Sequence, residues 1–488
     1  MRVKLIAPAR KTEWGEDFWG LETLIKHQFK DKGALLALLA LPTLAALTPP
    51  DVEVILTDEN VEPIDFDERV DLVGITFMTH FATRAYEIAD EFRARGIKVV
   101  LGGIHASMLP QEAIQHADSV VIGEAEETWP QLVRAFAEHR LQKFYQASNF
   151  PELKNSPIPR WDLLKSNLYN THLLQVGRGC PYNCDFCSVT AFNGRSYRHK
   201  LLENVLKEIQ TLQEIDRDKP IVFADDNFLS IPAYSRDLLK LLIPFKIKWW
   251  CQASINRLKD DELLELMHES GCEVIFVGFE SISQATLDLM HKGAVNKAEE
   301  YIQIVEKINS NGIVVFGSFI LGNDADGEDI FEHTVKFIAD AGIPLAQINI
   351  LTPFPGTLLC KKLEKEGRIL HKDWWKYNFE SICFKPKMDL KALEHGHTWV
   401  LQQIYSYKAL YQRFAKVWAN GGMVEDYLSK RRKFLLIFRG LLSRDINRTW
   451  FTLKGFWKQR GTSLGLLGFG ISFHDYARKR LKVALKGE

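Results

Sequence analysis

The sequence predicts an α/β protein: two parallel-sheet units in tandem, followed by a mainly helical region. Three observations lead there. Short β-branched runs alternate with helical ones through the first 150 residues, the same alternation resumes from about residue 171 to 370, and it stops after Trp374, where runs rich in aromatic and basic residues take over. The expected boundaries are 1–148 for a doubly wound, Rossmann-like unit, 149–170 for a linker, 171–370 for a partial (β/α)6 barrel and 371–488 for the helical region.

In the first unit the strand candidates are VKLIAP, VEVILTD, LVGITFM, KVVLGG and SVVIGE. Their near-continuous apolar runs suit strands buried on both faces, hence a parallel sheet covered by helices on each side. Helices are expected from Gly33 and over Thr83–Arg95. The Gly33 run, GALLALLALPTLAAL, has about fifteen residues and contains Pro42, short of the roughly 20 a membrane helix needs, so it reads as a buried helix. Doubly wound sheets bind ligands beyond the carboxyl ends of their strands. This chain places Thr76 to His80, then Gly102, Gly103, Ile104 and His105, then Gly123, Glu124, Ala125 and Glu126 at such ends. Gly102 and Gly103 equally suit a tight strand-to-helix turn. The Pro-punctuated NFPELKNSPIPRWDLL from Asn149 reads as the linker.

In the second unit the strands are HLLQVG, PIVFADD, IKWWCQAS, EVIFVGFE, IVVFGSFILG and AQINILTP, with helices such as LLENVLKEIQTLQEI and DDELLELMHESG between them. Six β-α units form an incomplete barrel, whose active site is expected at the C-terminal ends of its strands.

Composition narrows the functional classes. Apolar residues make up 46% and charged residues 25%, and Lys plus Arg equals Asp plus Glu at 62 each, so overall charge suggests no nucleic-acid partner. From Lys430 onward, however, fifteen Lys or Arg face three acids (Asp445, Asp475, Glu488). With LLIF, TWFTLKGFW and GLLGFGISF this stretch suits either a solvated helical cap or peripheral contact with an anionic membrane or a lipid. The seven cysteines are an odd number, three of them within eight residues, which predicts a reducing, cytoplasmic setting rather than a disulfide framework. The opening MRVKLIAPARKTEWGEDFWG has no continuous apolar run and predicts no signal peptide.

The sharpest motif follows the first barrel strand: Gly177-Arg178-Gly179-Cys180-Pro181-Tyr182-Asn183-Cys184-Asp185-Phe186-Cys187, with spacing C-x3-C-x2-C. Thiolates on one short loop can each ligate a corner iron of a cubane, and three ligands for four irons leave one iron open. A zinc site takes four ligands, and His199, twelve residues beyond Cys187, lies at the wrong spacing for common fingers. Cys251, Cys272, Cys360 and Cys383 are scattered and read as packing residues.

The cysteine segment, with Phe186 before its last cysteine, resembles the radical SAM superfamily. That resemblance implies a 4Fe-4S cluster on Cys180, Cys184 and Cys187, S-adenosylmethionine chelated at the open iron, and reductive cleavage to a 5'-deoxyadenosyl radical. In FADDNF, Asp225 and Asp226 stand where many members bind the amino group of S-adenosylmethionine; one carboxylate is expected on the ligand and the other capping the next helix. Gln252 and Ser254 on the third strand, and Glu280 on the fourth, are expected to meet its carboxylate, its ribose or the substrate. Gly317 to Gly322 and the TPFPGT segment from Thr352 resemble the walls near the adenine.

Domain order, together with LGGIHAS, IGEAEETWP, FADDNF, GFES and TPFPGT, is similar to the cobalamin-binding class of that superfamily. Gly102, Gly103, His105 and Glu124 are then the cobalamin-side candidates. One departure stands out: the loop after the first strand reads Ala7-Pro8-Ala9-Arg10, without the histidine of D-x-H-x-x-G. No cysteine lies in the first 150 residues, unlike methylthiotransferases with a second cluster. Residues from Trp374 resemble the C-terminal segment of hopanoid methylases. The class implies a C-methyltransferase acting on an unactivated carbon of a small molecule or lipid. One S-adenosylmethionine methylates cob(I)alamin, a second yields the radical, and a donor such as flavodoxin or ferredoxin supplies electrons. A radical cyclisation or rearrangement without methyl transfer is the alternative, and a non-catalytic iron-sulfur protein a third reading.

Overall fold

A computed structural model describes residues 1–9, 36 and 38–419. The first sheet contains β1 (Arg2–Ala7), β2 (Glu53–Asp58), β3 (Leu72–Thr76), β4 (Lys98–Gly102), β5 (Ser119–Ile122) and β6 (Phe144–Gln146). All are parallel, in the order 2-1-3-4-5-6. The sequence predicts the first five; β6, with three residues, is too short to show a period. Alternate side chains enter two separate cores. Ile6, Val73, Ile75, Val99, Leu101 and Val120 pack under the helix Ala82–Ala94. Val3, Leu5, Leu72, Val100 and Val121 meet Leu41, Trp129 and Leu132 on the other face. Because both faces are buried, most central strand positions are apolar, which explains the hydrophobic runs. The chain turns outward both ways from the β1–β3 pair, so the doubly wound order predicted from sequence is present, with its switch point there.

The helix expected from Gly33 is seen as Ala40–Leu47; residues 33–35 and 37 of that run, and Arg10, lie outside the described residues. Residues 149–170 run through three short 3-10 turns and are anchored, with Leu153, Trp161 and Tyr169 buried. Trp161 belongs to the barrel core, and Tyr169 donates to Asp58 Oδ2 at the end of β2 over 3.0 Å.

The second sheet starts with β7 (His172–Leu174). A short antiparallel hairpin, β8 (Gly177–Arg178) and β9 (Arg198–His199), flanks the cysteine loop. There follow β10 (Ile221–Phe223), β11 (Trp249–Ala253), β12 (Cys272–Glu280), β13 (Val314–Leu321) and β14 (Leu345–Ile350). The order 14-13-12-11-10-7, parallel throughout, is the six-stranded open barrel expected from sequence. Its helices carry an apolar stripe inward, and Asp260, Ser283 and Thr357 cap three of them by accepting from backbone N–H groups.

After the barrel, Trp374 and Tyr377 reach back into the first unit's core. The helices Leu390–Ile404 and Tyr407–Ala419 cover the barrel's outside. His397 Nε2 lies 2.9 Å from the Ile348 carbonyl, and Leu393, Val400 and Leu401 are buried. The basic stretch after Lys430 lies outside the described residues. Among the described residues no helix is long and apolar enough to cross a membrane. Cys251, Cys272, Cys360 and Cys383 are buried, and all seven cysteines are free.

Candidate active site

The cysteine loop leaves β8 at Gly179, whose φ of 95° suits glycine alone; a Cβ there would meet the Ser196 carbonyl oxygen at 2.4 Å. Three backbone bonds pin the loop from different elements. Cys180 N–H donates to Gly194 O at 3.4 Å, Asp185 N–H to Met290 O at 3.2 Å, and Asp185 O accepts from Leu359 N–H at 2.9 Å. Cys180, Cys184 and Cys187 are all partly accessible. Burial raises the pKa of all three thiols, Cys184 to about 11 and Cys187 to about 12. They are therefore held as thiols until iron displaces their protons. Among the described residues no three His, Cys, Asp or Glu converge tightly enough to hold one metal ion.

Asp225 is fully committed to the protein. It is buried and accepts from Val176 N–H at 3.0 Å, Gly177 N–H at 2.6 Å and Tyr197 Oη at 2.6 Å. Burial pushes its pKa up to about 7 against those three donors. Asp226 accepts from Gly179 N–H at 3.0 Å and Asn193 Nδ2 at 3.1 Å. The expectation that one of this pair caps the following helix is corrected: Pro232–Leu242 begins after Ile231 with no side-chain cap. The backbone N–H groups of Val176, Gly177 and Gly179, leading into the cysteine loop, draw the carboxylates there instead.

Gln252 projects exposed at the mouth, its Nε2 3.3 Å from the Asp226 carbonyl. Ser254 N–H donates to Asn227 Oδ1 at 3.1 Å. Glu280 has a φ of 63° at the bulge ending β12 and pairs at 2.5 Å with Lys292. Sequence reasoning missed Lys292, which sits in a turn with no signal but its charge. Burial works against its ammonium group, but Glu280 and Cys184 prevail, and its pKa is raised. Its Nζ also lies 5.9 Å from the centre of the Phe186 ring. Glu280 and Lys292 therefore stand beside the cysteines, as Gln252 and Ser254 stand over Asp226 and Asn227. The TPFPGT segment turns toward the first unit, where Phe354 packs on its core.

Gly102, Gly103, His105 and Glu124 lie together at the carboxyl edge of the first sheet, ending β4 and β5. At Gly103, φ is 90° and a Cβ would meet the Phe77 carbonyl oxygen at 2.7 Å. We expect Gly103→Ala to destabilise the protein by about 2 kcal/mol; an unchanged melting point would refute this. His105 is fully buried, its Nε2 3.3 Å from Glu112 Oε1 and its Nδ1 without a partner. The same Glu112 oxygen accepts from Tyr86 Oη at 2.9 Å and Trp374 Nε1 at 2.8 Å, tying the region after the barrel to this edge.

Glu124 crosses to the barrel. Its side chain is 2% exposed; Oε2 accepts from Arg178 Nη1 at 2.8 Å and from Arg198 Nη1 at 3.0 Å, and Oε1 pairs with Arg198 Nη2. Glu126 pairs with Arg178 at 2.5 Å. The two arginines face each other across the β8–β9 hairpin. Like charges so placed repel, and Glu124 together with Glu126 neutralises the pair. The sequence signal, an arginine two residues before Cys180, is visible only in hindsight.

The carboxyl edge of one parallel sheet is thus clamped to the mouth of a barrel whose first loop carries three free cysteines. Residues 174–338 match the radical SAM superfamily, residues 38–133 the B12 binding domain, and residues 357–461 a domain of unknown function (DUF4070). The chain is 35% identical over 400 residues to the bacteriochlorophyllide d C-8(2)-methyltransferase of Chlorobaculum tepidum, spanning 76% of this chain and 88% of that protein. It is 30% identical over 355 residues to the hopanoid C-2 methylase of Rhodopseudomonas palustris, covering 70% and 67%. The solved structure of the cobalamin-dependent S-adenosylmethionine radical enzyme OxsB, with aqua-cobalamin and S-adenosylmethionine bound, shares the fold at a TM-score of 0.65 and 16% identity, over 99% of this chain and 80% of that one. The chain belongs to the radical SAM superfamily, in its class with a B12-binding domain. It is an enzyme of the cobalamin-dependent radical SAM methyltransferase family, and its cofactors are a 4Fe-4S cluster, S-adenosylmethionine and cobalamin.

Proposed function

We propose that the protein is a C-methyltransferase acting on an unactivated carbon of a small-molecule or lipid substrate in the cytoplasm. The observation that carries this reading is the clamp of Glu124 on Arg178 and Arg198, which sets the carboxyl edge of the B12-binding unit against the cysteine loop of the barrel. When bound, the cluster with S-adenosylmethionine supplies a carbon-centred radical and cobalamin a methyl group, the pairing an sp3 carbon without a lone pair requires.

The chain's residues take the remaining tasks. Cys180, Cys184 and Cys187 hold the cluster. Asp225 and Asp226 hold the loop's backbone, with Asp226 nearest the ligand. Gln252, Ser254, Glu280 and Lys292 orient S-adenosylmethionine, the buried Lys292 ammonium suiting a carboxylate. Gly102 and Gly103 leave bare backbone on which a flat macrocycle can lie, beside the unpartnered Nδ1 of His105. Seven free cysteines suit a reducing compartment, with a flavodoxin or ferredoxin as electron donor.

Anaerobic purification with iron, cobalt and corrinoid quantified together tests the reading. We expect about four irons and about one corrinoid per chain, and label from methyl-labelled S-adenosylmethionine in the product. About four irons without corrinoid even after supplementation, or 5'-deoxyadenosine with an unmethylated product, would sink it; the second outcome points to cyclisation or rearrangement.

A further inference from the structure

Asn227 follows Asp226 beyond β10 and is 1% exposed. Its Oδ1 accepts from the backbone N–H of Ser254 at 3.1 Å. An amide nitrogen has no lone pair to accept from an N–H, so this bond fixes which way round the side chain lies. Nδ2 therefore points away from β11, and it is buried with no acceptor among the described residues. A buried amide group with no acceptor is unfavourable, so something outside the polypeptide is expected to receive it.

The surroundings say what. Asp226 accepts from Gly179 N–H at 3.0 Å, so the segment that carries Asn227 lies against the start of the cysteine loop. The Asn227 side chain lies within hydrogen-bonding reach of the Cys180 sulfur. A neutral thiol is a weak acceptor, whereas a thiolate bound to iron is a strong one.

We propose that Asn227 donates an N–H···S hydrogen bond to the Cys180 thiolate of the cluster and thereby raises the cluster's reduction potential. The reduced cluster carries one more negative charge than the oxidised one, so a donor on its sulfur stabilises the reduced form more. Asn227 touches neither S-adenosylmethionine nor substrate in this role. It is a positioning residue that sets how readily one electron passes from a low-potential donor to the cluster. The inference rests on the reading that the three cysteines hold a 4Fe-4S cluster.

The test uses anaerobically purified, fully loaded protein without S-adenosylmethionine, reduced stepwise with titanium(III) citrate and followed by electron paramagnetic resonance. At the wild-type midpoint, Asn227→Leu is expected to lower the ratio of reduced to oxidised cluster about tenfold, which for one electron is about 59 mV. Iron content should stay unchanged. Proton hyperfine spectra before and after exchange into D2O should show an exchangeable proton close to the wild-type cluster and none in the variant. Asn227→Asp is the second variant, because it keeps the acceptor for Ser254 N–H and the side-chain shape but its carboxylate has nothing to donate. It too should lose that proton. A loaded Asn227→Leu whose ratio changes less than twofold, or either variant retaining the coupling, overturns the proposal alone. Wild-type protein that binds no iron overturns the cluster reading and this inference with it.

Discussion

Cys184→Ala is expected to abolish reductive cleavage of S-adenosylmethionine, with loss of at least 1000-fold in 5'-deoxyadenosine formation. Cys184 is the middle cysteine of a loop held at Cys180, Asp185 and Cys187 by backbone bonds, so no neighbouring side chain can swing in to replace its sulfur. The other four cysteines lie buried elsewhere. Two thiolates cannot hold three corner irons, and without a site-differentiated cluster no electron reaches the sulfonium. Overall stability should change little, because the Cys184 thiol is partly accessible rather than packed in the core. Iron analysis together with 5'-deoxyadenosine assay checks this. Retained cleavage at more than a few per cent of the wild-type rate would refute the ligand assignment.

Glu124→Ala should have the largest effect of any change outside the barrel. It removes the carboxylate from two guanidinium groups that stand side by side across a hairpin and are only 17% and 15% exposed. Breaking one side of a buried ionic cluster typically costs about 3–5 kcal/mol, because the partner charges remain desolvated. Here the lower end, about 3 kcal/mol, is expected: Arg178 keeps Glu126 and Gln175, and Arg198 keeps the carbonyls of Pro151 and Asn193. At about 2–4 °C per kcal/mol the melting transition should fall by roughly 6–12 °C. Iron incorporation should fall with it, since Arg198 bonds the Asn193 carbonyl and Asn193 in turn bonds Asp226, which holds Gly179. Glu124→Gln, which restores neutral acceptance on one oxygen, should recover part of both losses. Unchanged melting and iron content in the alanine variant would show that the two units dock by other contacts.

The clamp also shows why some residues were legible and others were not. The cysteine triplet is local: ligand spacing on one loop is a property of consecutive residues, and the chain needs no tertiary information to display it. Both parallel sheets were legible for a related reason, since strands covered on both faces must be apolar at nearly every position. Glu124 was placed from sequence at a cofactor-binding edge, because the carboxyl ends of such strands usually meet ligands. Its partners lie more than fifty residues away in Arg178 and Arg198, and only the packed structure brings them together. Asp225 tells the same story from the other side: an acidic residue at a strand end reads as a ligand contact, yet it is spent on Val176, Gly177 and Tyr197. The short strands β6, β8 and β9 left no pattern, having too few residues to express a period.

The sequence by itself determined the chemistry of the cluster loop, the order of the two parallel units and the class of cofactors, because each is written in residues close together in the chain. Tertiary structure alone decided which carboxylates are taken up by partners within the protein. It also buried Lys292 beside Glu280, fixed the Asn227 amide oxygen on Ser254 N–H and joined the B12-binding edge to the barrel mouth. The physical reason is that a charged or amide side chain takes its role from whichever partners desolvation leaves it, and those partners are set by packing between distant segments.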